Sequence, residues 1–404
     1  MLFIRPGTTG FFLAPSNWLR PHTEGCLLIG SILLTLIILL IIWFAVARYL
    51  GGADLRALDA PDQAAKARRQ SFSTGDYLNA EHRQVLKRLA DLSTEMKKIP
   101  FSQHLGHLRR FMDSLSDGHE FTASFTPVDA GGVKAEWVVA PGADSSRRTL
   151  YIHGGAWAMG SPRSHRVITN KFAELTGGAV LAIDYRLMPE NQRKASIEDC
   201  RAAYRWILDN GPDGPEPISA LVVAGDSAGG NLTLTTIAWA RDQGLRPADA
   251  AVAMSPATDG TLSGRTLKTN LATDAMLGPQ FGVLTRVPHS VLLWLALLIN
   301  RMRPCNPDIS PVHGYLGNLP PLLIQGSEDE MLQDDAQRYL NKALAAGSPV
   351  RLQTWRHAVH VWQMFYPELT EARQAFEEID GFLQQSLPPA KPNPPAVTES
   401  KAAD

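Results

Sequence analysis

Four short stretches carry residues able to do nucleophilic chemistry. The first, VVAGDSAGGN from Val222 to Asn231, sets Ser227 in a Gly-x-Ser-x-Gly frame behind an apolar run and ahead of a helical pattern. A strand that turns sharply into a helix around such a serine pushes the hydroxyl outward. Small flanking residues let strand and helix approach. The start of the helix also leaves unpaired N–H groups beside that hydroxyl. The second stretch, HGGAW from His153 to Trp157, ends another apolar run. Acyl transfer builds negative charge on a carbonyl oxygen, and residues without side chains let backbone N–H groups reach it. The N–H groups of Gly154, Gly155 and Ala228 are the expected oxyanion donors. A glycine pair also makes an ordinary tight turn, and His153 also fits a hydrogen-bonded scaffold role. An oxyanion loop needs a fixed backbone, so these readings are compatible.

A serine nucleophile needs a base, and the base needs a carboxylate to orient it. On an elbow of this kind the chain order is serine, acid, histidine. The third stretch, IQGSEDEMLQDD, offers Glu328, Asp329, Glu330, Asp334 and Asp335 at the end of an apolar run. Some of these carboxylates fit a solvated loop and helix start, where they favour the helix dipole. The fourth, HAVHVWQMF, offers His357 and His360. His289 and His313 precede the acids, and the order demotes them. Residue types alone leave more than one acid and both late histidines open.

These groups must be positioned by a scaffold, and the chain has the texture of one. From Glu120 onward, short valine- and isoleucine-rich runs alternate with amphipathic stretches. The runs are EFTASFTPV, KAEWVVA, RTLYIHGG, GAVLAIDY, ALVVAGDS, AAVAMSPA, PLLIQGSE and VRLQTWRH. Helices are expected at residues 163–176, 195–210, 229–243, 333–346 and 363–385. Alternating strand and helix predicts a mostly parallel, eight-stranded sheet covered on both faces. Ligands bind such sheets at the carboxyl ends of the strands, where all four stretches fall.

Together the motifs resemble the hormone-sensitive-lipase family of α/β-hydrolases, which carries HGGG and GDSAGG. The resemblance runs from about Phe121 to Phe382 and includes DYRLMPE, Asp184 to Glu190, close to that family's D-Y-R-L-A-P-E. It implies an α/β-hydrolase fold and a catalytic triad of Ser227, Glu330 and His360. Glu330 follows from alignment on Leu332, Asp334 and Asp335, with Asp329 as the alternative. His360 matches the family's histidine, with His357 as runner-up. It further implies a helical cap from residues of about 74–118 and an insertion at about 259–303. Two departures stand out. Ala156 replaces the third glycine of HGGG, keeping the N–H but adding a methyl. NQRKASIEDC follows DYRLMPE where the family has an apolar, proline-containing segment.

The rest of the chain sets boundaries on function. A formal net charge of −1 over 404 residues gives no electrostatic case for nucleic acid. Three separated cysteines, Cys26, Cys200 and Cys305, form neither a disulfide framework nor a zinc pattern. No metal or organic cofactor is expected. Residues 26–47, CLLIGSILLTLIILLIIWFAVA, are uncharged. As a helix they span roughly 33 Å, enough to cross a bilayer and too long for the core of a signal peptide. A membrane protein with a single-pass anchor follows. Arg48, Arg56, Lys66, Arg68 and Arg69 outnumber Arg5 and Arg20, which predicts a cytoplasmic catalytic domain.

The expected organisation is an N-terminal segment 1–50, a linker and cap helices at 51–118, a catalytic domain at 119–386 and a disordered proline-rich tail at 387–404. The cap's apolar run Val291–Ile299 is too short to span and predicts an ordinary buried helix. Its alternative is an acyl-binding wall or a membrane-dipping surface. The expected activity is hydrolysis of small-molecule carboxylic esters, with lipophilic ones favoured. The alternatives are a non-catalytic ligand receptor on the same fold, or an amide or acetyl-sugar hydrolase.

Overall fold

The computed structural model describes residues 20–60, 63–73 and 79–389. They divide into two compact units between Tyr49 and Leu50. The first unit is dominated by helix α1 (Arg20–Gly51). An 18-residue window of this helix has a mean hydropathy of 3.0 and is not buried. In its middle turns the Ser31 and Thr35 hydroxyls donate to backbone carbonyls one turn back. In hydrocarbon that pairing leaves no hydroxyl unsatisfied.

The second unit is built on a nine-stranded sheet. In chain order its strands are β1 (Arg69–Phe72), β2 (Ser124–Asp129), β3 (Lys134–Val139), β4 (Asp144–Ile152), β5 (Gly178–Ile183), β6 (Ala220–Asp226), β7 (Ala250–Met254), β8 (Leu322–Ser327) and β9 (Val350–Trp355). Their spatial order is β1-β9-β8-β7-β6-β4-β5-β3-β2. β2 and β3 run antiparallel to their neighbours, and every other pairing is parallel. Alternate residues of one strand serve opposite faces. Leu150 and Ile152 join a core with Leu221, Val223, Ile197, Tyr204 and Leu340, while Tyr151 joins Val222, Val252, Phe172 and Ile379 on the other side. Each fully buried aliphatic side chain there contributes about 1.5–3 kcal/mol, so Leu150→Ala costs about 2–5 kcal/mol.

Helices α4 (Arg166–Thr176) and α9 (Thr370–Ser386) cover one face. Helices α5 (Arg193–Asp209), α6 (Ser227–Asp242) and α8 (Gln333–Ala345) cover the other. Upstream, α2 (Ala80–Met96) starts at Asn79, whose side chain accepts the His82 N–H at 2.8 Å. It buries His82, Val85, Leu89, Leu92 and Met96, a helical stripe. Helix α3 (Phe101–Ser114) follows Pro100. The late helical stretch expected at 363–385 is broken. A single 3₁₀ turn, Trp362–Phe365, precedes Pro367, and α9 starts only at Thr370.

The eight expected strands are β2 to β9, and β1 is a ninth. It comes from a stretch that reads as a solvated linker. Composition hides its docking: Leu55 and Ala65 are buried, and Asn341 Nδ2 donates to the Leu58 and Ala60 carbonyls. The Asp59 carboxylate accepts from the buried Arg338 at 2.6 Å. The expected buried cap helix is also different. Helix α7 (His289–Asn300) buries only Leu292 and Leu293, leaving Leu298 68% and Ile299 62% exposed. Of the tail, Leu387 packs on the core and the Pro388 carbonyl accepts from Arg147. Residues 390–404 lie outside the described residues, as do 1–19 and 74–78.

Candidate active site

The last residue of β6 is Asp226, and α6 begins at Ser227 with no loop between them. Ser227 sits at φ 50°, a left-handed conformation that L-residues avoid. Close packing makes the flanking glycines necessary. A Cβ on Gly229 would lie 1.9 Å from the Ile152 carbonyl oxygen of β4. The turn aims the Ser227 hydroxyl at His360, with Nε2 2.8 Å from Oγ.

His360 follows β9 and is 2% exposed. Its Nδ1–H donates to Glu330 Oε2 at 2.7 Å, leaving the Nε2 lone pair toward the serine. The other Glu330 oxygen accepts the Ser327 N–H at 3.0 Å, so the carboxylate is fixed at both ends. The backbone around it is pinned by the cap insertion. Asn270 Nδ2 donates to the Glu328 and Glu330 carbonyls, and Asp274 accepts the Met331 N–H. Burial pushes the His360 pKa down, but the hydrogen bond and charge of Glu330 outweigh it, and the net shift is upward. Asp329 points elsewhere, with Oδ2 3.0 Å from Nδ1 of the half-exposed His357. Asp334 and Asp335 accept backbone N–H groups of the cap insertion.

The loop after β4 supplies the other half of the site. His153 is a scaffold residue. Its Nδ1–H donates to the Gly154 carbonyl, and its ring stacks on Tyr185 at 4.2 Å. Burial and the neighbouring His165 push its pKa down to about 3, so it stays neutral. The loop turns through three consecutive positive φ values: Gly155 at 111°, Ala156 at 52° and Trp157 at 58°. Helix α3 holds it from outside, where Arg109 donates to the Ala158 and Met188 carbonyls and to both oxygens of Glu190.

One expected donor needs correction. The Gly154 N–H donates to Asp226 Oδ1 at 3.0 Å. A buried N–H already paired with a carboxylate is not free for a second acceptor. The N–H groups of Gly155 and Ala156 have no protein acceptor among the described residues, and Ala228 lies in the first turn of α6, where N–H groups are unpaired. The free set is therefore Gly155, Ala156 and Ala228.

Asp226 is the residue that sequence reasoning missed, although it stands inside the motif. Its Oδ1 accepts from Tyr151 at 2.6 Å as well as Gly154, and its Oδ2 lies 3.3 Å from His165 Nε2. Burial raises its pKa, but the charge and hydrogen bond of His165 and the Tyr151 hydroxyl reverse that, so it is held low and ionised. Among the described residues no cluster of potential metal ligands occurs.

The amino-acid sequence matches a family model described as α/β hydrolase fold over residues 149–364. It is similar to an acetyl-hydrolase of Streptomyces hygroscopicus, 38% identical over 257 residues, which are 64% of this chain and 81% of that protein. It is also similar to the carboxylesterase/phospholipase LipF of Mycobacterium tuberculosis, 33% identical over 268 residues, covering 65% of this chain and 69% of that one. Among solved structures, an esterase from the bacterial hormone-sensitive lipase family superposes with a TM-score of 0.64 at 34% identity. It covers 75% of this chain and 98% of that one.

Proposed function

This chain belongs to the hormone-sensitive-lipase-like branch of the α/β-hydrolase fold family and is an ester-hydrolysing enzyme, and we propose that Ser227, His360 and Glu330 are its catalytic triad. The observation that carries this reading is the continuous hydrogen-bonded line from Ser227 Oγ through the imidazole to Glu330. His360 Nε2 takes the serine proton as Oγ attacks the ester carbonyl. The C=O electron pair moves onto oxygen, which the N–H groups of Gly155, Ala156 and Ala228 receive. Collapse expels the alkoxide, which takes the proton from His360 and leaves as alcohol. Water then attacks the acyl-enzyme by the same route, and the acid is released. Glu330 keeps Nδ1 protonated and stabilises the imidazolium. Ser227→Ala should abolish hydrolysis of a p-nitrophenyl ester by folded protein, and a variant that retains full activity would sink the assignment.

The enzyme is proposed to act at a membrane, anchored through residues 26–47 with the catalytic domain on the cytoplasmic side. Support comes from the length and hydropathy of α1 and from the arginines and lysine that follow it. The exposed Leu295, Leu298 and Ile299 of α7 suit lipophilic esters. Resistance to carbonate extraction and protection from external protease are the expected results. Equal rates across acyl chain lengths would count against the lipophilic preference.

A further inference from the structure

The segment that departs from the family pattern, NQRKASIEDC, places a guanidinium in the interior. Arg193 opens α5 and is 1% exposed. Among the described residues no carboxylate lies within ion-pair distance of it. An unpaired buried charge is costly, and apolar residues fill such a space more cheaply. Its pKa is lowered by burial to about 10, which leaves it cationic at neutral pH.

What Arg193 touches gives this cost a purpose. Nη2 donates to Asn231 Oδ1 at 2.7 Å, and Nη1 donates to Ser196 Oγ at 2.6 Å. Asn231 stands one turn after Ser227 on α6. Its Nδ2 in turn donates to the Ala257 and Ile309 carbonyls. The guanidinium carbon lies 4.4 Å over the ring of Trp157. Trp157 directly follows Ala156, and its carbonyl accepts the Met188 N–H at 2.8 Å. Trp157, which follows the left-handed Ala156 and shares its conformation, thus has its backbone held at one point and its ring held at another.

We propose that Arg193 is a positioning residue that locks the oxyanion loop to the nucleophile helix, stacking on Trp157 while its Nη2 holds Asn231. A planar guanidinium can stack and donate at once, which neither lysine nor an aliphatic residue does. The role rests on the reading of Gly155 and Ala156 as oxyanion donors. It predicts that loss of Arg193 harms the transition state more than the bound substrate.

The test uses the full chain in detergent, with Arg193→Met and Arg193→Lys. Measured quantities are kcat and KM for a p-nitrophenyl ester and the affinity of a trifluoromethyl ketone, which forms a tetrahedral oxyanion on the serine. The expected result for Arg193→Met is a fall in kcat of roughly 10- to 100-fold, below the loss of a donor outright. KM should stay within about 3-fold, and ketone affinity should fall in step with kcat. Arg193→Lys should recover only part. Wild-type kcat and ketone affinity in a folded Arg193→Met protein overturn the proposal. If that variant does not fold, Trp157→Leu removes the stacked ring and must show the same split, or the proposal fails. An inactive Ser227→Ala protein beside an unaffected Arg193→Met protein sinks this inference alone. An active Ser227→Ala protein sinks the triad reading beneath it.

Discussion

The site has two halves, and each is organised by a carboxylate that is 1% exposed. On the histidine side, Glu330 accepts from the proposed base, His360, through one charge-assisted hydrogen bond at 2.7 Å. On the nucleophile side, Asp226 adjoins Ser227 in sequence yet holds a piece of backbone, the Gly154 N–H, together with Tyr151 and His165. In the proposed site, one carboxylate sets the proton affinity of the base. The other sets the shape of the loop proposed to receive the oxyanion. The difference lies in what each carboxylate's partner does during the reaction. An imidazole must change charge, so its partner acts on energy. An amide donor must only stay still, so its partner acts on geometry.

The largest expected effect separates the halves outright. Glu330→Gln keeps the shape but offers an N–H or a neutral oxygen to Nδ1, and kcat should fall by about 10⁴-fold. Asp329→Asn, which disturbs only the half-exposed pair with His357, should stay within about 3-fold. If the two results are exchanged, Asp329 and not Glu330 orients the base.

The pH profile reads the same contrast. As the proposed base, His360 must be neutral to accept the serine proton, so kcat/KM should rise with pH through its pKa. That pKa is raised above its ordinary 6.5, so the acid limb should lie above that value. Glu330→Gln should move the limb down, because the raising hydrogen bond and charge are lost. Titration of kcat/KM in both proteins checks the sign, and an upward shift in the variant would contradict it.

A smaller loss is expected on the nucleophile side. Asp226→Asn retains one oxygen for Gly154 but gives up the charge facing His165. We expect kcat to drop about 10- to 100-fold, with KM little changed. The acid limb should shift less than in Glu330→Gln, since Asp226 is the weakest of the influences raising His360. A limb displaced as far as in Glu330→Gln would mean the two halves are not separable.

The histidine side was more legible in the sequence than the nucleophile side. Strand runs and triad order put Ser227 and a choice of acids and histidines after β6, β8 and β9, and the family resemblance narrowed that choice to Glu330 and His360. Residue type announces the candidates, though it does not separate Glu330 from Asp329 or His360 from His357. Backbone donors carry no such label. Which of Gly154, Gly155 and Ala156 has a free N–H depends on where Asp226 points, and side-chain direction is a tertiary property. The same limit hid the stack of Arg193 on Trp157, visible in the sequence only as a charged residue where an apolar one was expected. It also hid β1, whose polar residues pair with β9 through backbone groups that any sequence possesses.

The smallest effect tests how much slack the nucleophile side has. Ala156 occupies a left-handed conformation, φ 52°, at the position of the third motif glycine. An L-residue there costs about 1–2 kcal/mol relative to an unstrained one. Glycine removes that strain but adds about 0.5–1 kcal/mol of unfolded-state entropy. The two terms nearly cancel, so Ala156→Gly should leave Tm unchanged or raise it by no more than about 3 °C. The N–H that Ala156 contributes is untouched, and kcat for a short acyl ester should stay within about 3-fold. Only the methyl beside the oxyanion position disappears, so any gain should favour bulkier acyl groups. Calorimetry and an acyl-length series measure both. A drop of several degrees would mean that the Ala156 methyl packs against something that holds the loop, and that this half relies on side-chain contact as heavily as the histidine half does.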